Sequence, residues 1–313
     1  MPRLASPIEK LKQHYDVLVI GSGYGGAIAA SRLARAGRRV CVIERGREIQ
    51  PGEYPRTELE LLDEVQMDAP IKHFGSPAAL FDVRFNKDIN AVVGCGLGGT
   101  SLINAAIALR PDPRLLADLR WPAEIRNVSL DPWFARAEAM LRPAAYPDTY
   151  PRLHKTAALA QAAAHLDEPC KAVTLAINFE EFAGGLNHVG TTQGPCVGCG
   201  DCVTGCNYAA KNTVLMNYLP DAVNHGAEIF TGVRARRIER EDGHWLVQAK
   251  RADESETASP LSLRADIVIL AAGTLGSTEI LLRSREYGLA LSPALGSRFS
   301  GNGDTLGFAY NAD

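Results

Sequence analysis

A glycine-rich turn between two apolar segments is the feature that most constrains the fold of this 313-residue chain. Residues 15–20, YDVLVI, form a continuous apolar run, which is typical of a strand buried on both faces of a parallel sheet. The turn GSGYGG follows directly, and residues 25–36 then place small or apolar side chains at helical spacing before Gly37. Residues 39–44, RVCVIE, are a second buried strand. The pattern predicts a strand–helix–strand unit and an α/β fold.

Gly21, Gly23 and Gly26 of this turn match the fingerprint of a dinucleotide-binding site. The first glycine permits the tight turn, the second lets a pyrophosphate approach the backbone, and the third lets helix and strand pack closely. N–H groups at the helix N-terminus then hold the phosphates. Glu44 ends the second strand about 20 residues downstream, where a carboxylate accepts hydrogen bonds from ribose hydroxyls and disfavours a 2′-phosphate. This pattern makes NADP unfavourable and leaves NAD and FAD open.

A second glycine cluster, VGCGLGGTSLIN at residues 93–104, favours a flavin. Together with GSGYGG and with ERG at 44–46, it resembles the flavin-binding segments of the glucose-methanol-choline (GMC) oxidoreductase family. The longer stretch VGCGLGGTSLINAAIALRP resembles the cholesterol-oxidase-like branch of that family in particular. A flat isoalloxazine ring can touch the backbone only where side chains are absent, and the glycines of this cluster offer such a surface. The resemblance implies FAD as the cofactor.

The resemblance also implies which residues contact FAD. Asn104 would lie beside the flavin ring, and the backbone of Val233 would contact the adenine. The full expected set is Gly21, Gly23, Tyr24, Gly25, Gly26, Glu44, Arg45, Gly94, Gly98, Gly99, Thr100, Ser101, Asn104, Val233, Ala272 and Gly273.

As a member of this family, the chain is expected to be an α/β flavoprotein with a Rossmann-like, three-layer ββα FAD-binding domain and an incomplete second, substrate-binding domain. Hydride would pass from an alcohol C–H to the flavin while a base takes the hydroxyl proton. The implied substrate is a hydrophobic alcohol, such as a 3β-hydroxysteroid, and the electron acceptor stays open. An NAD-dependent dehydrogenase and a non-catalytic flavin and metal electron-transfer module are the alternatives.

Several intervals carry weaker signals. Residues 50–88 are punctuated by prolines, and we expect them to cover the sheet rather than to join it. Asp-Pro pairs at 112–113 and 131–132 are expected to open helices as N-cap and N1. Residues 211–226, KNTVLMNYLPDAVNHG, predict a helix with a proline interruption, and residues 264–272 predict another fully buried strand.

These segments suggest how the chain is divided. The predicted ranges are 12–110 for the first part of the FAD-binding domain, 111–208 for a substrate-facing insertion with a cysteine loop, 209–300 for the second part of the FAD-binding domain, and 301–313 for the start of a truncated substrate domain. In the family the catalytic histidine comes well downstream of this point, so we expect the base beyond Asp313 and name no catalytic residue. His188 is the one histidine kept as a possible substrate-side residue or ligand.

Four cysteines, Cys196, Cys199, Cys202 and Cys206, follow the spacing C-x2-C-x2-C-x3-C. Bacterial ferredoxins use this spacing to ligate iron–sulfur clusters through thiolates, so we expect a [4Fe-4S] cluster here. The proline that follows the last ferredoxin cysteine is Asn207 in this chain. A structural zinc ion is the main alternative, although its usual two-plus-two grouping is absent. Two local disulfides come third, because a cytosol opposes them.

Composition bounds the partners and the location. The formal net charge is −3, so no global positive field attracts nucleic acid or anionic lipid. The first residues contain no apolar stretch of signal-peptide length, and no run approaches the roughly 20 apolar residues of a membrane-spanning helix. We therefore expect a cytoplasmic protein without a transmembrane segment.

Overall fold

The computed structural model of the protein describes residues 1–69, 72–253 and 260–301. The strands in these ranges, numbered in chain order, are β1 (His14–Ile20), β2 (Val40–Ile43), β3 (Val65–Ala69), β4 (Lys72–Phe74), β5 (Phe81–Arg84), β6 (Ala91–Gly94), β7 (Glu228–Phe230), β8 (Val233–Glu241), β9 (His244–Arg251) and β10 (Leu261–Leu270). The helices are α1 (Tyr24–Arg35), α2 (Glu58–Asp63), α3 (Pro113–Leu116), α4 (Ala123–Arg126), α5 (Asp131–Leu141), α6 (His154–His165), α7 (Tyr218–Asn224) and α8 (Gly273–Glu286).

The larger sheet has six strands in the order β7-β2-β1-β10-β9-β8. Strands β7, β2, β1 and β10 are parallel, and β9 pairs antiparallel with both β10 and β8. Strand β1 lies between β2, which follows it through α1, and β10, which comes from the far end of the chain. The predicted α/β fold and the opening strand–helix–strand unit are confirmed. Strands β7 and β8 follow each other closely in sequence but lie at opposite edges of this sheet.

Alternate side chains of β1 face two separate apolar clusters. Val17 and Val19 pack in one cluster with alanines of α1, and those small side chains let the helix lie close to the sheet. Leu18 and Ile20 pack in the other cluster, which includes Ile280 of α8. Because both faces of β1 are covered from Val17 onwards, this part of the strand is wholly apolar, as a central parallel strand requires.

A second sheet of four strands, in the order β4-β3-β5-β6, corrects the prediction for residues 50–88. These residues were expected to stay outside any sheet, yet they supply β3, β4 and β5. The strands are three to five residues long, and polar side chains occupy buried positions: Gln66 is 0% and Asp82 is 1% exposed. Short length and inward polar groups remove the apolar alternation from which a strand is recognised.

The interval 111–208 contains helices α3 to α6, and only one of its two Asp-Pro predictions is correct. Asp112 caps α3, since its carboxylate accepts a hydrogen bond from the backbone N–H of Arg114 at 2.8 Å. Asp131, however, is the first residue of α5 rather than its N-cap, and Leu130 precedes it. The proline still lies in the first turn, where its missing N–H costs nothing.

Two further predictions need correction. Residues 211–226 do not form an interrupted helix: α7 starts only at Tyr218, and Pro220 lies in its first turn, where no hydrogen-bond donor is required. Strand β10 is not fully buried, because Ile267 is 46% exposed. Strand β9 pairs with β10 only as far as Ala265, so the second half of β10 is not covered by β9 on that edge.

None of the helices within the described ranges combines the length and the apolar character that crossing a bilayer requires. The segment predicted to begin a substrate domain, 301–313, lies outside the described residues apart from Gly301.

Candidate functional site

A cavity of about 500 Å³ opens at the carboxyl ends of β1 and β2. In α/β sheets this is the edge at which ligands bind, because the turns that follow the strands meet there. The N-termini of α1 and α8 also reach this edge, since Gly23 and Ala272 precede these helices. The predicted cofactor residues that line the cavity are Gly21, Gly23, Tyr24, Gly25, Glu44, Arg45, Gly94, Gly99, Thr100, Val233, Ala272 and Gly273.

The three fingerprint glycines differ in what surrounds them. Gly21 has a φ of +97°, and a Cβ atom there would lie 2.4 Å from the carbonyl oxygen of Ala271. A Cβ atom on Gly26 would lie 2.0 Å from the carbonyl oxygen of Gly21. A Cβ atom on Gly23 would meet no atom within 4 Å, because this residue faces the open cavity. The fold therefore requires glycine at positions 21 and 26, whereas at position 23 only a ligand that approaches the backbone would require it.

Glu44 is held at the end of β2 with both carboxylate oxygens engaged. Its Oε2 accepts hydrogen bonds from the backbone N–H of Ser22 at 3.0 Å and from the Ser22 hydroxyl at 2.7 Å. Its Oε1 accepts one from the backbone N–H of Gly46 at 2.8 Å. A carboxylate has about four acceptor positions, so one stays free towards the cavity. This arrangement fits a carboxylate that fixes a ribose hydroxyl, and Ser22 is a supporting residue inside the fingerprint that the sequence reasoning passed over.

The second glycine turn packs directly on the first. A Cβ atom on Gly99 would lie 2.9 Å from the Cα atom of Gly23, and one on Gly46 would lie 2.3 Å from the backbone nitrogen of Gly96. Side chains at these positions would push the turns apart. Three backbone segments distant in sequence, around Gly23, Gly46 and Gly99, thus come into direct contact.

Four predicted residues do not line the cavity: Gly26, Gly98, Ser101 and Asn104. Ser101 is fully buried, and its hydroxyl donates to the carbonyl of Gly98 at 2.7 Å. Asn104 reaches the cavity only through Tyr24, because its Nδ2 donates to the Tyr24 hydroxyl at 3.0 Å. In this structure Ser101 holds the turn, and Asn104 orients Tyr24.

The cavity also has a charged wall, of which sequence reasoning identified only Arg45. Arg84 pairs with Asp82 at 2.8 Å and with Glu279 at 2.6 Å, and Arg45 pairs with Asp82 at 2.6 Å. Burial alone would raise the pKa of Asp82, but the hydrogen bonds and charges of the two arginines hold it below its ordinary value. Burial lowers the pKa of Arg234, and the neighbouring arginines lower it further. The alternating pattern of β5, FDVR, was the one local signal for Asp82 and Arg84.

The loop that carries Cys196, Cys199, Cys202 and Cys206, here called the cysteine loop, lies outside the cavity lining. All seven cysteines of the chain are free, which removes the disulfide alternative. Burial raises the pKa of Cys202, the charge of Lys211 opposes this rise, and the charges of Cys206, Cys196 and Cys199 add to it. Within the described residues, no three of these sulfur atoms lie within 4.8 Å of one another.

The cysteine loop is anchored to the rest of the fold at two points. A Cβ atom on Gly205, which has a φ of +113°, would lie 2.0 Å from the ring of Tyr54. Asn207 accepts hydrogen bonds from the backbone N–H of Gly52 at 2.9 Å and of Tyr54 at 3.0 Å. Position 207 is proline in the ferredoxin pattern and asparagine here. The asparagine has a structural reason, because its side-chain oxygen accepts these two bonds and a proline ring has no such oxygen.

Lys211 provides the second anchor and connects the loop to the cavity. Its side chain is 2% exposed. The ammonium donates to the carbonyl oxygens of Cys202 at 2.8 Å, Asn104 at 2.7 Å and Leu102 at 3.0 Å. Burial lowers the pKa of Lys211 to about 8, and the thiols of Cys202 and Cys206 oppose this shift. One buried cation thus links the cysteine loop to the second glycine turn.

His188 has no place in the cavity. Its Nε2 lies 3.3 Å from the sulfur of Met140, and burial lowers its pKa. The sequence suggested a substrate-side or ligand role for it, and the structure brings it to neither the cavity lining nor the cysteine loop.

Comparison with known proteins gives a consistent result. The family model described as GMC oxidoreductase matches residues 15–300. The chain is 28% identical to a cholesterol oxidase of Mycobacterium tuberculosis over 323 residues, covering 95% of this chain and 53% of the relative. It is also 28% identical to a long-chain-alcohol oxidase of Arabidopsis thaliana, covering 90% of this chain and 36% of the relative.

Among solved structures, pyridoxine 4-oxidase from Mesorbium loti superposes with a TM-score of 0.55 at 18% identity, over 86% of this chain and 52% of that one. This likeness supports the fold. The chain spans between 36% and 53% of the length of these relatives.

Proposed function

Because this chain belongs to the GMC oxidoreductase family, we propose that it forms the FAD-binding part of an enzyme that oxidises a hydrophobic alcohol to a carbonyl compound. The observation that carries the proposal is the meeting of the two glycine turns around one cavity, with Gly23 open to it and Glu44 fixed at its edge. A bound flavin would accept two electrons, as a hydride, from the alcohol C–H.

The residues of this chain would bind and orient the cofactor. Backbone N–H groups at the start of α1 are directed to the edge where a pyrophosphate would lie, and Gly23 leaves room for its approach. Glu44 would accept a hydrogen bond from a ribose hydroxyl through its free acceptor position. Tyr24, fixed by Asn104, lines the same cavity. The glycines of the second turn would exclude side chains from the face of the ring.

Purification of the chain and release of its chromophore test the cofactor. FAD, identified by absorbance and mass after denaturation, is the expected result. NAD, or no nucleotide from a folded chain that also fails to take up added FAD, would contradict the proposal and would favour the dehydrogenase alternative.

The substrate class rests on the relatives. Proteins named cholesterol oxidase and long-chain-alcohol oxidase both act on hydrophobic alcohols, so a hydrophobic alcohol, with a 3β-hydroxysteroid as one candidate, is the first class to assay. An assay with an artificial electron acceptor separates an alcohol-oxidising enzyme from an electron-transfer module.

We expect little turnover from residues 1–313 alone. General acid–base help is worth about 10² to 10⁴ in rate, and no histidine among the described residues lines the cavity. A longer chain that continues beyond Asp313 is the matched comparison, and turnover by residues 1–313 equal to that of the longer chain would contradict this expectation.

We also propose that the cysteine loop binds an iron–sulfur cluster. Its spacing and its anchoring support this, since Lys211 joins the loop to the turn beside the cavity. Free thiols favour a reducing compartment such as the cytoplasm. Anaerobic purification followed by iron and acid-labile sulfide analysis is the test. Iron with sulfide is expected, zinc without sulfide would favour the structural alternative, and a folded chain that cannot be reconstituted with either would refute both.

A further inference from the structure

Three side chains converge at the end of the six-stranded sheet that lies opposite the cofactor cavity. The carboxylate Oδ1 of Asp266 lies 3.0 Å from Nε2 of His14 and 3.0 Å from Nδ1 of His244. The three potential ligand atoms all lie within 4.8 Å of one another. The described residues contain no second group of three or more histidine, cysteine, aspartate or glutamate side chains placed so closely.

Rigid elements hold these side chains. They come from β1, β10 and β9, which are neighbours in the sheet. The pairing of Trp245 with Ala265 places His244 beside Asp266, and the pairing of His14 with Arg264 places His14 one diagonal step away on the same face. Sites built on strands keep their geometry better than sites built on loops. Only side-chain rotation is needed to bring the three atoms around one ion.

The surrounding charges favour a cation. Asp266 contributes a carboxylate, and both imidazoles lie within hydrogen-bond distance of its Oδ1. Arg39 also interacts with the charge of Asp266, but its guanidinium is already paired with Asp16 through a hydrogen bond of 2.8 Å. The two imidazoles are half exposed, so an ion can enter from solvent and keep water in its remaining position.

We propose that His14, His244 and Asp266 form a binding site for a divalent transition-metal ion such as Zn²⁺. Two imidazole nitrogens and one carboxylate are a ligand set that zinc uses with water in the fourth position, whereas Mg²⁺ and Ca²⁺ prefer oxygen ligands throughout. A ring nitrogen that binds the ion must carry no proton, so each histidine would bind as the tautomer with its proton on the other ring nitrogen.

The bound ion would connect β1 to the β9–β10 pair. His14 is at the start of β1, and the cofactor cavity is at its other end, beside Ile20. The site therefore does not depend on the proposed function, and its occupancy is expected to raise thermal stability without altering flavin absorbance.

The test is a titration of the full chain with Zn²⁺ alone, observed through the imidazole ring signals in NMR spectra. His14→Gln and His244→Gln assign the signals. His73 is the matched control, because its Nδ1 makes a single 2.7 Å contact with Asp68 in the smaller sheet. Since the readout is at the rings, zinc taken up by the cysteine loop does not imitate the result.

The expected result is that the His14 and His244 signals shift together and saturate at one ion, while the His73 signal stays in place. Asp266→Asn is expected to weaken the affinity at least about tenfold, since even indirect metal partners are worth about 10- to 100-fold. Unchanged His14 and His244 signals at millimolar zinc, or equal affinities for the wild type and Asp266→Asn, would overturn the proposal.

Discussion

Gly23→Ser and Gly26→Ala are expected to separate cofactor binding from fold stability within one turn. Gly23 is the N-cap of α1 with φ −63° and ψ −170°, a conformation that serine adopts readily and an N-cap position that serine favours. Its new Cβ atom would meet nothing within 4 Å. The serine hydroxyl would accept hydrogen bonds from the N–H groups that are proposed to hold the pyrophosphate. It would also occupy the space of that pyrophosphate. We expect unfolding free energy within about 0.5 kcal/mol of wild type, as for ordinary surface substitutions, and no FAD binding.

Gly26→Ala should have the opposite profile. Its Cβ atom would lie 2.0 Å from the carbonyl oxygen of Gly21, and a backbone atom cannot rotate away as a side chain can. Overpacking of this kind costs about 1–3 kcal/mol or more. Gly25→Ala is the matched control in the same helix turn, because its Cβ atom would meet nothing within 4 Å. Replacing glycine by alanine inside a helix stabilises the helix by about 0.5–1 kcal/mol.

Thermal unfolding with and without FAD measures both effects. At FAD concentrations about 100-fold above Kd, binding adds about 2.7 kcal/mol to the wild-type stability. For a chain of this size that is a rise in Tm of roughly 5 °C. Gly23→Ser should start at the wild-type Tm and show no rise. If Gly23→Ser gains the full rise, the pyrophosphate does not approach this residue; if Gly26→Ala is as stable as Gly25→Ala, the packing argument is wrong.

Three further predictions each concern a single side chain. Burial alone would raise the pKa of Asp221, but hydrogen bonds from Arg35 and a serine hold it below its ordinary value. The ionised carboxylate therefore stabilises the fold above its unfolded pKa, and this contribution is lost as the pH falls. Asp221→Asn should lower the free energy of unfolding at pH 7 by about 1–3 kcal/mol and flatten the acid limb of a stability–pH curve. Lys211→Met leaves three carbonyls without their hydrogen-bond donor. FAD affinity should then fall about tenfold, and amide hydrogen exchange should rise in residues 99–104. Unchanged exchange in these residues would refute the coupling of Lys211 to the second glycine turn. Cys202→Ser should abolish iron incorporation while FAD absorbance persists, and iron retained at the wild-type ratio would exclude this thiol as a ligand.

The first strand–helix–strand unit could be predicted because its signals are local. An apolar run, three glycines at fixed spacing and a closing carboxylate each report a constraint that acts within a few residues, and the structure places Gly21, Gly26 and Glu44 where those constraints require. The cysteine loop was recognisable for the same reason, since its spacing is itself the signal.

The second sheet and the charged wall of the cavity could not be predicted in this way. Strand β5 turns Asp82 inward because Arg45, 37 positions away, and Arg84 pair with it there. A carboxylate in a strand otherwise indicates an exposed position, so the sequence pattern misleads wherever a distant partner neutralises it. The same holds for Lys211, which looks like the polar start of a helix and is instead buried among carbonyl groups from two loops.

The burial of Lys211 is explained by the carbonyl groups that its ammonium holds together. Removing an ammonium from water is unfavourable, and hydrogen bonds to three carbonyls offset part of that cost without adding a compensating negative charge. An apolar side chain of similar volume would fill the space at lower cost, but it could not hold the carbonyls of Cys202 and Asn104 around one point. Asn104 in turn fixes the hydroxyl of Tyr24 at the cavity. One buried ammonium therefore holds the Cys202 backbone and the turn beside the cavity, so a displacement of either must move the other or break a buried charge-assisted hydrogen bond.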